Sequence, residues 1–475
     1  MNKKKDLEKP SLFVSILVIG FLFLALLVQV LYQGSADAHM TLMLGTAFGA
    51  IVLLASGMKW KKIEEGILYG CEIATLPMLI LMLIGILIPT LMACGSIPNL
   101  IYWGLHIISP KLFLPTVSIV CVIASLATGS SWTSAATFGV AAMGIGIGLG
   151  VPAPMTAGAV ISGAVVGDKL SPLSDTTNLA SGISEVNLFD HIKSMFYTTG
   201  PAFVIAIVLY AVLGFKYGAD SINSETTEAI LEGIRTNYSV TGLGLILSMV
   251  PFAMILIMAF KKISVIATMV AASLVACIIA IVINGYSVLD MMSFMNFGFV
   301  GDSGNADIDA LLNRGGLQGM MYTVSLGYFG LGFGGLLEKT GILEVVLGKM
   351  AALTKKQGNL ILTHVLSCIL VNLLTASQYL SILLTGRLYL PAYDKLGIRR
   401  DVVSRTCEDA GTVTSPLVPW NMCGVYFAAT LGVQTLTYLP FAFVAYLSPI
   451  IAIVYGYANL FVWKKDKEEK EESAK

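Results

Sequence analysis

The chain has 475 residues, of which 56% are apolar and 12% charged, and its 29 Lys and Arg balance 29 Asp and Glu. Soluble domains carry about 25% charged residues, so this surface cannot clothe two or three water-facing domains, and a zero net charge offers nothing to nucleic acid. With about 20 residues for a span and roughly 40 for a span plus its loop, the chain is predicted to hold about 10–12 membrane-crossing or re-entrant segments.

The first apolar run, 12–32, follows Lys3, Lys4, Lys5 and Lys9 and is too long for a signal-peptide core of about 7–15 residues. It is read as a retained span. Further runs cover 42–57, 74–93, 112–127, 132–150, 152–166, 199–214, 242–260, 264–283, 321–337, 359–374, 378–392 and 424–460. Several are too short to cross alone and predict broken helices or hairpins. Basic short loops mark the cytoplasmic side. They are the N-terminal lysines, Lys59–Lys62, Lys261–Lys262, Lys339–Lys356 and the loop with Lys395, Arg399, Arg400 and Arg405. The acid-biased segments 215–241 (Asp220, Glu225, Glu228, Glu232) and 284–320 (Asp302, Asp307, Asp309) are placed outside. The division expected is a cytoplasmic N-terminus 1–11, a first transmembrane half 12–214, an external polar loop 215–241, a second half 242–462 and a charged cytoplasmic tail 463–475. Both termini inside requires an even number of crossings.

The seven cysteines form no CxxC pair and the four histidines no HxxxH or HExxH pair, so neither a disulfide framework nor a zinc site is predicted. No GxxxxGK[ST] or GxSxG occurs, and no cofactor is expected. The alternating Gly144, Gly146, Gly148 and Gly150 lack the strand and the Lys-Ser/Thr of a phosphate loop and are read as a packing face or hinge.

Two polar interruptions resemble each other. Thr128-Gly129-Ser130-Ser131-Trp132-Thr133-Ser134 matches Thr375-Ala376-Ser377-Gln378-Tyr379-Leu380-Ser381, and each is followed by a segment holding acidic residues and Ser-Pro-Leu. The first is Gly167-Asp168-Lys169-Leu170-Ser171-Pro172-Leu173-Ser174-Asp175-Thr176-Thr177-Asn178; the second runs from Glu408-Asp409 through Thr412 and Ser415-Pro416-Leu417 to Asn421. Matching interruptions in two halves point to a transporter's binding site, because hydrocarbon cannot satisfy a broken helix's free N–H and C=O groups. An intramembrane carboxylate costs about 2.5–3.5 kcal/mol and so needs a function or a partner. Asp168, Asp175, Thr176, Thr177 and Asn178 are the candidate ion and proton ligands of the first half. Glu408, Asp409, Thr412, Ser415 and Asn421 are those of the second. Asp175, Thr176 and Asn178 offer the hard oxygen donors that suit sodium. Ser130, Ser131, Thr133, Ser134, Ser377, Gln378 and Ser381 would line the cavity between. The bland alternatives are an internal Asp168–Lys169 pair, an interfacial Glu72, core or interfacial His106 and His364, and an Arg387 that snorkels rather than pairing with Glu408, Asp409 or a carboxylate substrate.

The stretches 129–137 and 167–180, with Val418-Pro419-Trp420-Asn421, closely resemble the NhaC-type sodium/proton antiporter family, over nearly the whole chain. The second half keeps Pro and Asn but has no counterpart of Lys169. The resemblance implies Na⁺/H⁺ exchange in a bacterial inner membrane, by alternating access between two related halves, inverted if they run antiparallel. Some members couple Na⁺ and H⁺ to malate uptake and lactate export, and others in the wider ion-transporter superfamily carry carboxylates or amino acids, so the cargo stays open. Homodimers are common among such transporters, and a homodimer is an expectation here.

Overall fold

A computed structural model of the chain describes residues 9–33, 38–217, 224–301, 313, 315–352 and 356–465. Lys3–Lys5, Asp220, Asp302, Asp307, Asp309 and residues 466–475 of the tail lie outside the described residues. What is described is helical, apart from one isolated antiparallel bridge between Ile398 and Lys464.

The apolar runs became helices in order. They open with α1 (Leu12–Gln33), α2 (His39–Ala55), α3 (Trp60–Ala93) and the short α4 (Ser96–Ile107). Then come α5 (Phe113–Thr128), α6 (Ser131–Ser134), a π-turn at Ala135–Gly139, α7 (Val140–Gly148), α8 (Ala153–Leu170), α9 (Asp175–Ile183) and α10 (Leu188–Tyr217). A middle group holds α11 (Ser224–Asn237), α12 (Gly242–Phe260), α13 (Val265–Asn284) and α14 (Val288–Phe297). The second set begins with α15 (Leu317–Lys339), α16 (Ile342–Ala352), α17 (Gln357–Thr375), α18 (Gln378–Lys395) and α19 (Arg400–Thr406). A π-turn at Cys407–Thr412 and a 3₁₀ turn at Ser415–Leu417 lead to α20 (Met422–Leu431), α21 (Thr435–Tyr438) and α22 (Phe443–Ala458). Among the described residues, eight helices are long and apolar enough to cross a membrane, or nine counting a pair bent by 88° at α20–α21. The remaining segments are shorter because polar breaks divide them. The two segments expected as polar loops hold α11 and α14. In α11, Ile230 and Ile234 are buried one turn apart, with Tyr238 a turn further on just past its end, a helical stripe inside acidic sequence.

One constant offset, the one that carries Thr128 to Thr375, superposes two repeats along the chain: α3 with α15, α4 with α16, α5 with α17, α6–α7 with α18, α8 with α19 and the turns after it, and α9 with α20. It also carries the start of α10 to Thr435, where the second repeat breaks into α21 and α22. The hydrogen bonds keep the same register. Ser134 Oγ donates to Cys121 O at 3.2 Å and Ser381 Oγ to Cys368 O at 2.9 Å. Ser125 Oγ donates to Ala164 O and Asn372 Nδ2 to Gly411 O, both at 2.6 Å.

The repeats are inverted. Gly66 of α3 faces Gly335 and Leu336 of α15, Gly70 faces Leu331 and Gly332, and Gly85 faces Gly316 and Met320, so the equivalent helices cross antiparallel. A Cβ on Gly70 would lie 1.9 Å from Leu331 O. Only a glycine lets the backbones approach this closely, and Gly70→Leu is expected to leave no monodisperse protein by fluorescence-detected size exclusion, whereas Gly20→Leu, with open space around it, should elute normally.

Each repeat also holds a hairpin that enters and leaves at one end of the bundle. The α5–α7 hairpin begins beside the end of α10, where Lys111 packs on Gly214, and ends where Thr227 of α11 donates to Gly148 O at 2.6 Å. The α17–α18 hairpin has both ends at the opposite pole, Gln357 bonded to Lys464 and Asp394 to Lys465. Lys9 pairs with Glu344 at that same pole, so both described chain ends lie there.

Candidate functional site

Each hairpin turns at a left-handed residue, Gly129 (φ 69°) or Ala376 (φ 56°). The next serine caps the returning helix: Ser130 Oγ accepts from Thr133 N at 3.2 Å, and Ser377 Oγ accepts from Leu380 N at 3.3 Å. Free N–H groups at such a helix start attract an anion. The first repeat supplies one. Ser131 donates to Asp168 Oδ2 from its backbone N at 3.1 Å and from its hydroxyl at 2.7 Å, while Asp168 Oδ1 is buried without a partner. At the equivalent place in the second repeat Gln378 Oε1 accepts from Ser415 Oγ at 3.1 Å. One half-site is therefore ionic and the other neutral. The structural equivalent of Asp168 is Ser415; the Ser-Pro-Leu match in the sequence is displaced from this register, and Pro416 stands where a counterpart of Lys169 would be.

A cavity of about 740 Å³ opens beside the first tip. Its walls are the 128–133 tip, the break between α8 and α9, α3 around Pro77, the α12–α13 turn with Lys262, and Gln378 and Tyr379 from the second tip. Asp168, Asp175 and Asn178 line it. Asp175 opens α9 and is exposed to the cavity; its Oδ1 accepts from Thr176 N at 2.9 Å and its Oδ2 from the Tyr379 hydroxyl at 2.5 Å, a contact between repeats. The Trp132 ring stacks on Tyr426, 4.1 Å between centroids, and the Tyr426 hydroxyl donates to Trp132 O at 2.6 Å. The second tip is packed closely on its other side. α15 covers it with glycines, and a Cβ on Gly334 would lie 2.6 Å from Thr375 Cα while one on Gly330 would lie 2.9 Å from Ala376 Cβ.

The expected site residues divide. Ser130, Ser131, Thr133, Asp168, Asp175, Asn178 and Gln378 meet at the cavity. Thr176 and Thr177 point away, the first bonded to Ser174 Oγ at 3.1 Å and the second to Lys169 O at 2.9 Å. Of the three oxygen donors expected for sodium, Asp175 and Asn178 share the cavity and Thr176 does not. Asn178 Nδ2 donates to Ser174 O and Pro172 O, which holds the break. Ser134, Ser377 and Ser381 satisfy backbone groups of the hairpins, and Asn421 caps α20 and donates to Asn372 O at 3.1 Å.

Glu408, Asp409, Thr412 and Ser415 are buried behind the cavity rather than in its wall. Lys169, next to Asp168, turns the other way and pairs with Asp409, both fully buried. Asp409 Oδ1 also accepts from Thr198 Oγ1 and Ser448 Oγ, each at 2.8 Å. The internal pair is therefore Lys169–Asp409 across the repeats, not Asp168–Lys169. Arg387 and Glu72 are exposed. His364 is a core histidine stacked on Tyr389 with Nδ1 3.1 Å from the Tyr393 hydroxyl, and His106 Nδ1 lies 2.8 Å from Tyr102 O. Tyr379 and Tyr426 are not among the sequence candidates, and Lys169 is read there only as a partner for Asp168; the pairing of Trp132 with Tyr379 in the two tips points towards Tyr379.

Tyr379→Phe removes a hydrogen bond to a carboxylate, an interaction worth about 1.5–3 kcal/mol. Folding should survive and the affinity of the cavity for what it binds should fall about tenfold, read from a binding titration of the purified protein.

Inverted repeats with hairpins and broken helices meeting at a central cavity define a secondary transporter. A sequence profile described as the Na⁺/H⁺ antiporter family matches residues 10–177 and 163–460. The chain belongs to that family, the NhaC-type antiporters, and is a membrane transporter rather than an enzyme. It is 36% identical over 96% of its length to the Na⁺/H⁺ antiporter NhaC of Alkalihalophilus pseudofirmus, covering 98% of that protein. It is also 36% identical to the malate-2H⁺/Na⁺-lactate antiporter of Bacillus subtilis, over 97% of each chain. The arginine/ornithine antiporter ArcD of Halobacterium salinarum is 36% identical too, over 98% of this chain and 96% of its own. The solved structure of Neisseria gonorrhoeae MtrF aligns with 94% of this chain and 95% of its own at 13% identity and a TM-score of 0.34, a level from which nothing follows for this chain.

Proposed function

We propose that the protein exchanges Na⁺ for H⁺ across a bacterial inner membrane by alternating access. The observation that carries this reading is the pair of carboxylates, Asp168 and Asp175, on the wall of a cavity between the repeats. Asp175 with Asn178 makes the first contact with Na⁺, and Asp168, held by Ser131, supplies the second charge. A carboxylate can hold a proton or pair with Na⁺, and that competition suffices for exchange. Lys59–Lys62, Lys262, Lys339, Arg399 and Arg400 support a reading in which the pole that holds both described chain ends is cytoplasmic. The cavity then faces inward, and the glycine face of α15 on Thr375–Ala376 closes the outer side. Bulk at Gly334 should wedge that seal, so Gly334→Leu is expected to cut exchange about tenfold or more in vesicles while Gly348→Leu, in open space, leaves it unchanged.

A second reading is antiport of a small organic acid or amino acid coupled to Na⁺ and H⁺. The cavity volume favours it, since about 740 Å³ lies within the range of small-molecule sites, about 300–1,000 Å³, and far exceeds a bare ion. Uptake of ²²Na⁺ into proteoliposomes that are acidic inside separates the two. Accumulation with no organic solute present supports Na⁺/H⁺ exchange; accumulation only with malate, lactate or an amino acid on the opposite side replaces it with the second reading.

A further inference from the structure

We infer that the transported proton rides on Glu408, a carboxyl distinct from those that meet the cation, and reaches the cavity along a seam of buried hydroxyls. This rests on the Na⁺/H⁺ reading and goes beyond it in separating the two sites. Glu408 sits in the π-turn at Cys407–Thr412, where an extra backbone residue re-aims the side chains that follow, a feature frequent at functional sites. It is fully buried, and neither carboxylate oxygen has a hydrogen-bond partner. A buried carboxylate left ionised and unpaired is costly; a carboxyl that carries a proton for part of the cycle is not. The Thr412 hydroxyl lies beside it and makes no hydrogen bond elsewhere. Ser415 follows, its hydroxyl 2.7 Å from Thr412 O and 3.1 Å from Gln378 Oε1, and Gln378 lines the cavity. Glu408, Thr412 and Ser415 thus form one polar seam from the buried interior to the cavity wall.

The charges facing Glu408 come from α8 and from its own turn. Lys169 and Asp168 approach from α8, and Asp409 is its neighbour in the turn. From α17, His364 reaches only the adjacent Cys407, its Nε2 3.5 Å from the sulfur, and from α10, His191 lies within electrostatic reach of Lys169. Lys169 and Asp409 neutralise each other as a fixed pair, which leaves the state of Glu408 to be decided by what occupies the Asp168 side. Na⁺ arriving at Asp168 and Asp175 cancels negative charge there and favours an ionised Glu408. The O–H bond of Glu408 then breaks and its proton passes to water that enters along the seam past Thr412 and Ser415, so that one O–H bond is lost at Glu408 and one is gained by water on its way to the cavity. Departure of Na⁺ reverses the step.

Glu408→Gln keeps the shape of the protonated carboxyl. In proteoliposomes it should retain ²²Na⁺/Na⁺ counterflow at equal pH within about twofold while Na⁺-driven proton flux falls at least tenfold. Thr412→Val should slow proton flux several-fold without touching counterflow, and Thr412→Ser should restore it. If wild type exchanges Na⁺ for H⁺ and Glu408→Gln does so with the same rate and pH profile, the assignment of Glu408 is overturned and the Na⁺/H⁺ reading stands. Equal loss of counterflow and proton flux in Glu408→Gln, with Thr412→Val and Thr412→Ser indistinguishable from wild type, also overturns it. Absence of Na⁺-driven proton flux in wild type removes the functional reading and this inference together.

Discussion

Asp175→Asn is expected to lower Na⁺-driven proton flux by about a hundredfold, because it removes the one carboxylate, among the described residues, that both faces the cavity and is exposed to it. Losing a charged ligand that also accepts a hydrogen bond costs up to about 3 kcal/mol, and about 1.4 kcal/mol is tenfold. The substitution keeps the shape of the side chain, and the amide oxygen can still accept from Tyr379, so folding is not the expected casualty. Flux measured in everted vesicles, with protein level and detergent melting temperature as controls, separates loss of ion binding from loss of protein. Normal flux would remove Asp175 from the site and shift the first cation contact to Asp168. Asp168→Asn should also abolish exchange, but with a lower melting temperature, since the Ser131 N–H and hydroxyl lose their charged acceptor.

Breaking the Lys169–Asp409 pair should have a large effect on stability. Both groups are fully buried, and removing one partner of a buried pair leaves an uncompensated charge at a cost of about 3–5 kcal/mol. Lys169→Met is therefore expected to lower the melting temperature sharply in detergent. The double variant Lys169→Met, Asp409→Leu should recover most of the loss, since two apolar side chains leave no unpaired charge. If Lys169→Met alone melts like wild type, the pair does not hold the repeats together.

Why some of this was readable in advance follows from what is local. The apolar runs matched the helices because hydrocarbon forces each spanning segment to be apolar over its own length. The hairpin tips at Thr128–Ser131 and Thr375–Gln378 stood out for the same reason: a polar break inside a span is visible without its partner. What escaped is non-local or depends on helical phase. Lys169 meets Asp409 across the repeats, and Tyr379 reaches Asp175 from the other half; nothing in either neighbourhood announces the other. Thr176 and Thr177 share a motif with Asp175, but α9 starts at Asp175, and its rotation sends their hydroxyls away from the cavity. The two Ser-Pro-Leu stretches suggested a register that the hydrogen bonds replace, with Asp168 opposite Ser415. The helix α11 was hidden because its buried stripe, Ile230 and Ile234 with Tyr238 beyond them, is thin against acidic surroundings.

The central claim is that binding Na⁺ and holding the transported proton exclude one another in this protein. It is tested most directly by titrating purified protein with NaCl in a calorimeter, in two buffers of different ionisation enthalpy, across a range of pH. Release of protons on Na⁺ binding, with an apparent Na⁺ affinity that weakens about tenfold per pH unit on the acidic side for each proton displaced, is the predicted result. Na⁺ binding with no proton released and the same affinity at every pH would contradict it.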